Sequence, residues 1–452
     1  MNEGSPSGEG VEDSPAAPPN VGAMRSNRNP AGEGAGLDPV ESRGVRGQSA
    51  SGWAHTFSSL RNSGFRHLWI GTMFMWCAGS FQGVVQGYLA YDLTGSAGLL
   101  GVISLGYGVP LFGLALFGGA VADRVERKRL IQLFQIAEAV IALLLAVSVM
   151  TETITWYHIL VASIIHGALF AFMLPARQAI IPRLVDRSQI TNAMALNNAG
   201  MGATTLSAPA IAGFLYASFG AETVFLAMFG FQVVAAILIS LVPSTAGGSA
   251  SLKSALLRDI WDGLRHIRGN RMVMVLLLLA LASSLMAMPP QLLLPVFVVE
   301  IYQKEADAMG LLVAVAGAGS LGGALFVARL GNWRRGPLLI AASFLIGMAL
   351  LVMSAIPHYL AAAAMMLLFG MGGAPKRTLI DSLAIDSVED EYRGRVMSVL
   401  MMTIGMVPLG VLPLGLAADL WGARSALAIM AGGTLAVTSL VTVTQKRLRE
   451  AQ

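Results

Sequence analysis

Residues 118–130 read GGAVADRVERKRL, and six of the seven residues from Asp123 to Arg129 are charged. Long apolar runs flank this stretch on both sides, in a chain of 452 residues that is 55% hydrophobic and only 12% charged. Soluble proteins contain about 25% charged residues, whereas runs of about 20 apolar residues are long enough to cross a bilayer as helices. The charged stretch therefore predicts a loop between two spans of an all-α polytopic membrane protein.

Similar apolar runs recur along the chain and predict twelve transmembrane helices. Six of them precede a long polar interruption and six follow it. The predicted spans lie at about 68–91, 98–122, 130–150, 156–176, 195–218, 222–243, 272–299, 309–330, 337–356, 359–380, 396–418 and 424–444.

The lysine and arginine residues lie mainly on one side of this predicted topology. With both tails excluded, the loops on the side of the termini hold 19 of them, and the opposite side holds only Lys304 and Arg424. Basic residues concentrate in cytoplasmic loops, so both termini are predicted to be cytoplasmic in a multi-pass protein of the cell membrane. The pI of about 9.3 follows from these scattered loop residues and does not indicate a nucleic-acid partner.

Polar segments divide the chain into five predicted parts. The first 52 or so residues are rich in Gly, Ser, Pro and Glu, and they cannot bury enough apolar surface to fold. Between the halves, Leu256, Ile260, Leu264 and Ile267 follow helical spacing beside basic residues, which predicts an amphipathic helix on the cytoplasmic face. The predicted parts are a disordered tail at 1–52, a six-helix bundle at 53–243, a linker at 244–271, a second six-helix bundle at 272–445 and a cytoplasmic tail at 446–452.

The two predicted bundles resemble each other at an offset of about 200 residues. Each match is short, but the matches occur in the same order. They pair Gly118-Gly119-Ala120 with Gly322-Gly323-Ala324, Pro175-Ala176-Arg177 with Pro375-Lys376-Arg377, and Gly213, Gly220 and Ala221 with Gly415, Gly422 and Ala423. Two parallel six-helix repeats imply a pseudo-two-fold axis along the membrane normal, with a substrate cavity between the halves.

The loop between the second and third spans resembles the signature of the major facilitator superfamily, which is a Gly, three residues, an Asp and a basic cluster. Here it consists of Gly119, Asp123, Arg124 and Arg127, with Glu126 in place of the usual second Gly. The resemblance covers residues from about 60 to 447, and the stretches YDLTGS and PARQAIIPRLV are similar to the enterobactin-exporter-like and macrolide-efflux-like branch. It implies two pseudo-symmetric six-helix bundles that export a small amphipathic organic molecule, drug-like or siderophore-like, by alternating access.

The same resemblance implies a gate on the cytoplasmic side. Asp123 would face the positive N-terminus of the eleventh span and join the two bundles when that side is closed. Arg124 and Arg127 would hold its carboxylate, and Arg393 and Arg395 would form ion pairs in the same network. The alternative is an ordinary positive-inside loop, which explains the basic residues but not an Asp at a fixed step from a Gly.

Polar side chains inside the predicted spans are candidates for substrate binding, because they are costly at membrane depth. The candidates are His166, Phe170 and Arg177 on one face of the fourth span, Gln82 and Gln86 on the first span, and Gln291 on the seventh. In the superfamily these spans line the cavity, and neutral amides can bind a polar substrate without burying a charge. The alternative for these side chains is hydrogen bonding between helices.

Two ionisable side chains within the spans are candidates for proton coupling. The imidazole of His166 can change protonation within the physiological pH range, and the carboxyl group of Glu138, eight residues into the third span, could carry a proton. The alternatives are a histidine bonded to a neighbouring helix and a structural polar cluster around Glu138 with Gln132 and Gln135.

The fifth span contains TLSAPAIAG, in which Pro209 and Gly213 retain part of a Gly- and Pro-rich motif found in antiporters of the superfamily. The resemblance implies a helix kink that packs tightly on a neighbouring helix. A proline kink is tolerated in membrane helices. This trace of the motif favours export over import.

The leading interpretation is a secondary active exporter of a small molecule, driven by protons as the coupling ion and needing no oligomer. The alternatives are an importer or uniporter on the same fold, and a non-transporting membrane scaffold or sensor. No P-loop motif predicts ATP binding. Clustered metal ligands, or a nucleophile with its base at one depth, are also missing from the sequence pattern, so neither an enzyme nor a cofactor is predicted.

Overall fold

The computed structural model describes the backbone of residues 58–243, 270–331 and 334–450. It describes the side chains of these ranges apart from residues 115–124, 178, 390, 391, 395, 398 and 447. The predicted N-terminal tail and the predicted amphipathic linker helix fall almost entirely on residues outside these ranges. Within them, the regular secondary structure is helical, and no strand occurs.

Twelve principal helices follow one another along the described chain. They are α1 (Ser63–Thr94), α2 (Ala97–Arg124), α3 (Arg127–Met150), α4 (Trp156–Leu184), α5 (Ile190–Ser240), α6 (Arg271–Ala282), α7 (Ala306–Leu330), α8 (Arg335–Ala355), α9 (Tyr359–Asp386), α10 (Asp390–Gly405), α11 (Val407–Trp421) and α12 (Ala423–Thr444). After α6 the chain continues through the wider π-helical turns Ser283–Ala287 and Phe297–Ile301 and the short helices Pro289–Leu292 and Leu294–Val296. Prolines there remove backbone donors, which explains the interrupted hydrogen-bond ladder.

Ten helical segments of the described chain are long and apolar enough to cross a membrane. They confirm the prediction of an all-α polytopic membrane protein. One segment holds both the predicted fifth and sixth spans, because the backbone leaves helical geometry only at Gly220 within α5. The predicted tenth span coincides with α9, which is not among the ten, since Lys376, Arg377 and Asp381 lower its apolarity. The count of twelve spans stays a prediction.

Large apolar side chains are exposed along one face of α3. Leu133, Ile136, Val140, Leu144 and Val147 each leave between 47% and 61% of their surface uncovered by the protein. Their steps of three and four residues place them on a single helical face. Such a face would be unfavourable in water, and it agrees with contact between α3 and lipid tails.

Matched glycines support the predicted internal repeat. Gly220 and Gly422 adopt positive φ angles of 84° and 81°, a region that glycine enters at little cost, and each lies at a sharp turn between two helical segments. Seven residues earlier, Gly213 and Gly415 leave no room for a Cβ against the carbonyls that begin α7 and α2 respectively. Gly220 and Gly422 therefore share a backbone geometry, and Gly213 and Gly415 share the same kind of neighbour.

Two close helix pairs join α1–α5 to α6–α12. In the first, here called the α2–α11 seam, Gly101 contacts the backbone of Leu412. In the second, the α5–α7 seam, Gly310 contacts the carbonyl of Pro209. Glycine lets helix backbones approach closely. In a membrane this close packing matters, because no hydrophobic effect drives the helices together.

Pro209 and Gly213, the residues predicted to kink the fifth span, both lie in the α5–α7 seam. The backbone of α5 stays helical through Pro209, and the observed break is eleven residues later at Gly220. Because Pro209 has no N–H, the carbonyl of Thr205 lacks its usual helical partner. That carbonyl faces Gly317 of α7.

A carboxylate joins the two sets of helices at the end of the molecule where α1 ends at Thr94, here called the Thr94 end. Asp419 of α11 accepts hydrogen bonds from the backbone N–H groups of Ala97 (2.7 Å) and Gly98 (2.9 Å) and from the hydroxyl of Ser96 (2.7 Å). The first N–H groups of a helix have no partner within the helix, and the positive end of the helix dipole attracts an anion. This contact, the Asp419 clamp, fastens the α2–α11 seam.

Candidate functional site

A cavity of about 410 Å³, here called the main cavity, lies between the two sets of helices. Helices α1, α2 and α4 supply most of its wall, and Gln291, Met309 and Pro408 line it from the second set. Its polar lining consists of Ser80, Gln82, Gln86, Ser104, Tyr107, Ser163, His166, Thr205, Gln232 and Gln291. Small-molecule sites usually enclose about 300–1,000 Å³, so the main cavity has the size of such a site.

Five of the six predicted substrate residues line this one cavity. The five are Gln82, Gln86, His166, Phe170 and Gln291. The fold brings them together from distant parts of the sequence. The sixth residue, Arg177, is buried in α4 but does not line the cavity, and its Nη1 donates to the sulfur of Met75 at 3.0 Å. Whether these side chains contact a substrate stays a prediction.

Two amide groups at the main cavity have unused hydrogen-bonding capacity. The Nε2 donor of Gln86 and the Oε1 acceptor of Gln232 are buried, and neither has a hydrogen-bond partner among the described residues. Leaving a buried polar group unpaired costs about 1–3 kcal/mol, and buried polar groups in proteins are normally bonded. Both side chains line the main cavity, although these two atoms are themselves covered by protein.

The two predicted proton-coupling residues are in contact with each other. The Nδ1 atom of His166 lies 2.9 Å from Oε1 of Glu138, whose side chain is only 3% exposed. The two atoms are close but not aligned as a hydrogen bond, and neither makes another bond in the described part of the chain. His166 lines the main cavity, whereas Glu138 lies behind it on α3. The pair thus connects the cavity to a buried carboxyl group.

Aromatic rings surround the imidazole of His166. Its ring centroid lies 5.3 Å from that of Tyr107, 6.0 Å from that of Phe134 and 5.8 Å from that of Phe170. These rings limit the access of water to the pair. Charge interactions are stronger in such an environment than in water.

The predicted cytoplasmic gate falls largely on residues whose side chains lie outside the described part. These residues are Gly119, Asp123, Arg124 and Arg395. Of the other two, Arg127 begins α3 and is only 6% exposed. Arg393, near the start of α10, donates from Nε to the carbonyl of Ile385 at 3.3 Å. The gate stays a prediction.

Several functional candidates were not predicted from the sequence. Tyr107, Ser163 and Gln232 are single polar residues within apolar runs, and no motif distinguishes them. The sequence could have indicated the Asp419 clamp, because an acidic residue within one turn of a predicted span end can reach the start of a neighbouring helix. Identifying that neighbour as α2 required the fold.

Comparison with known protein families gives one match over most of the chain. The family whose model matches is described as transmembrane secretion effector, and the match covers residues 54–452. Among curated proteins, the staphyloferrin A transporter of Staphylococcus aureus is 26% identical over 360 residues, which are 77% of this chain and 88% of that protein. Macrolide efflux protein A of Streptococcus pyogenes is 26% identical over 319 residues, which are 68% of this chain and 77% of that protein.

Solved transporter structures share the fold. A mutant form of the nucleoside transporter NupG superimposes with a TM-score of 0.69 at 14% identity, covering 85% of this chain and 100% of that one. A mutant form of the peptide transporter POT superimposes with a TM-score of 0.69 at 11% identity, covering 86% and 95% respectively. At these identities the similarity shows the architecture alone.

Proposed function

Because this chain belongs to the transmembrane secretion effector family of the major facilitator superfamily, we propose that it exports a small amphipathic organic molecule in exchange for protons. The chain is a membrane transporter, and the proteins that it resembles are transporters and not enzymes. The observation that carries the proposal is the contact between Glu138 and the cavity-lining His166.

The main cavity suits a molecule that has neutral hydrogen-bonding groups on an apolar body. Gln86 and Gln232 supply an unused donor and an unused acceptor, and Trp76, Phe134 and Phe170 supply aromatic surface. Two relatives are named for staphyloferrin A and for macrolides, both small organic molecules. We therefore place the substrate in the drug-like or siderophore-like class.

The Glu138–His166 pair supplies a site for one exchangeable proton. With one proton bound, the pair carries no net charge, either as an ion pair or as two neutral groups. Without that proton it carries one negative charge in a buried position, which is unfavourable. Release of the proton therefore changes the stability of the buried arrangement and can drive a change between two transporter conformations.

Two polar contacts would control access to the cavity from opposite sides. The excess of basic residues beside the termini places the Thr94 end outside the cell. The Asp419 clamp then closes the extracellular side, and Asp123 would close the cytoplasmic side in the alternative conformation. Under this scheme the two contacts are not formed at the same time.

Transport in inverted membrane vesicles tests this proposal. The vesicles contain the full chain, and the probes are dansyl-labelled amphipathic amides and carboxylates. An acidic interior should drive accumulation of at least one probe, because the interior corresponds to the outside of the cell. A gradient of one pH unit is worth about 1.4 kcal/mol per proton, so one-for-one electroneutral exchange gives about a tenfold concentration ratio.

Other results would favour the alternative functions. Movement of a probe to equal concentrations on both sides, independent of the gradient, indicates a uniporter. Uptake only with the opposite gradient indicates an importer. Failure to move any probe, in vesicles whose protein is correctly inserted, indicates a scaffold or sensor.

Replacing Asp123 with Asn is expected to reduce transport at least about fivefold while membrane insertion persists. The variant removes the negative charge that would face the start of α10, and conformational couplings of this kind are typically worth about 1–3 kcal/mol. Initial export rates in vesicles with matched protein content measure the effect.

The matched control is Glu126→Gln in the same loop, which removes an acid that is paired with Arg129 at 2.7 Å. Its export rate should stay near that of the unmodified protein. Equal export rates for Asp123→Asn and the unmodified protein would show that Asp123 does not form a cytoplasmic gate.

A further inference from the structure

A second, smaller cavity of about 120 Å³ lies among α9, α10 and the chain that follows α6. Its polar lining includes Ser284, Lys376, Arg377, Asp381 and Thr403. It shares no lining residue with the main cavity. In the sequence, Lys376 belongs to the internal repeat and to the basic residues counted on the cytoplasmic side.

Lys376 is a deeply buried cation in this second cavity. Its side chain is only 3% exposed, and ten residues of α9 separate it from the end of that helix. At a rise of about 1.5 Å per residue, this places it about 15 Å from the end. Lys376 is therefore enclosed by protein within the predicted tenth span.

No described residue neutralises Lys376. Within the described ranges it makes no ion pair and no hydrogen bond, and the cavity carboxylate of Asp381 lies beside Arg377, with 4.0 Å between Oδ2 and Nε. Buried charges in proteins are normally paired, and ionisable residues at membrane depth mark functional sites. With two cations and one carboxylate, the second cavity has an excess of positive charge.

The second cavity adjoins the main cavity along the chain at two places. On α11, Val407 lines the second cavity and the next residue, Pro408, lines the main cavity. After α6, Met288 lines the second cavity and Gln291 lines the main one. The same two segments of chain therefore form part of the wall of both cavities.

We infer that Lys376 binds a carboxylate group of the transported molecule, whose uncharged part occupies the main cavity. This inference rests on the proposed transport function and narrows the substrate class to organic acids. A charged hydrogen bond between the ammonium and a carboxylate supplies the missing partner. Ser284 lines the same cavity, and its hydroxyl can donate to the second oxygen, whereas the hydroxyl of Thr403 already donates to the carbonyl of Leu400 at 2.7 Å.

Binding of two matched probes to the purified full-length protein tests the inference. Dansylglycine carries a carboxylate, and dansylglycinamide has the same fluorophore without the charge. Fluorescence titration should show that dansylglycine binds about tenfold or more tightly than the amide, the equivalent of one hydrogen bond to a charged group. Lys376→Met should reduce this ratio to about one without weakening the amide, and Lys376→Arg should retain the preference.

Lys304→Met is the matched control, because Lys304 is an exposed lysine at the Thr94 end. It should keep the full preference for dansylglycine. Gel filtration and thermal unfolding check that each variant folds, and Lys376→Met should be at least as stable as the unmodified protein, since it removes an unpaired buried charge. Lys376→Arg keeps the charge and provides a second test if the methionine variant does not fold.

The outcomes separate this site from transport itself. Equal affinity for the two probes, absence of dansylglycine binding, or an unchanged preference in Lys376→Met would overturn the inference. A Lys376-dependent preference without movement of dansylglycine in vesicles would support the site and count against export. Gradient-driven export of the amide with no charge preference would support export and count against the site.

Discussion

Replacing Glu138 with Gln is expected to reduce the proton-driven accumulation ratio of a transported probe from about tenfold to about one at a gradient of one pH unit. Glutamine has nearly the shape of glutamate but cannot bind or release a proton. Because His166 at 2.9 Å would then face a neutral amide, the pair could no longer alternate between an uncharged and a negatively charged state. Probe should still equilibrate across the membrane, because the main cavity and both seams are unchanged.

Vesicle accumulation with and without the gradient measures this loss of coupling. Glu152→Gln is the matched control, since Glu152 is exposed in the turn that follows α3 and has no side-chain partner among the described residues. A Glu138→Gln protein that keeps the tenfold ratio would show that Glu138 does not carry the coupled proton. Loss of accumulation in both variants would point instead to general damage to the protein.

Replacing Asp419 with Ala is expected to open the Thr94 end and shift the conformational equilibrium about 5- to 150-fold. The carboxylate accepts three hydrogen bonds at the start of α2, two of them from backbone N–H groups. Loss of a helix cap costs about 0.5–2 kcal/mol, and loss of the dipole interaction adds about 0.3–1 kcal/mol. The two costs add up to about 1–3 kcal/mol, which corresponds to the expected shift of about 5- to 150-fold.

Labelling with a membrane-impermeant maleimide measures this opening. A single cysteine replaces Ser104, which lines the main cavity, in a chain whose natural Cys77 is changed to Ser. Labelling from the side of the Thr94 end should be faster in Asp419→Ala than in the same protein with Asp419 present. Asp92→Ala is the control, because Asp92 is exposed at the same end. Equal rates with and without Asp419 would show that the clamp does not hold the cavity closed.

The sequence predicted the class of fold because apolar length and loop charge are local properties that membranes constrain strongly. The helical repeat was predictable for a related reason. Gly220 and Gly422 mark positions where only glycine adopts the backbone at little cost. Such residues remain visible in the sequence even where the rest of each helix has changed.

The main cavity was partly predictable. Glutamine and histidine are rare in membrane spans, so Gln82, Gln86, Gln291 and His166 stood out against their apolar surroundings. The contact between His166 and Glu138 could not be predicted, because the sequence does not define which faces of α3 and α4 meet.

Lys376 shows a different limit of sequence analysis. It precedes Arg377 near the end of the predicted tenth span, so the topology count assigned both residues to a cytoplasmic loop. In the structure α9 continues to Asp386 and carries Lys376 into the protein interior. A basic residue near a span end is ambiguous, because only the tertiary fold shows whether the helix ends there.

The two glycine seams are alike in backbone geometry but not in charge. At the offset of 202 residues that relates Gly213 to Gly415, the counterpart of Asp419 is Ala217, which has no carboxylate. The start of α7 instead has Asp307 of the same helix bonded to the N–H of Ala308 at 2.7 Å. Among the described residues, no such bond crosses the α5–α7 seam, whereas the three bonds to Asp419 cross the α2–α11 seam. Opening at the Thr94 end should therefore be asymmetric, with the α5–α7 side separating before the α2–α11 side.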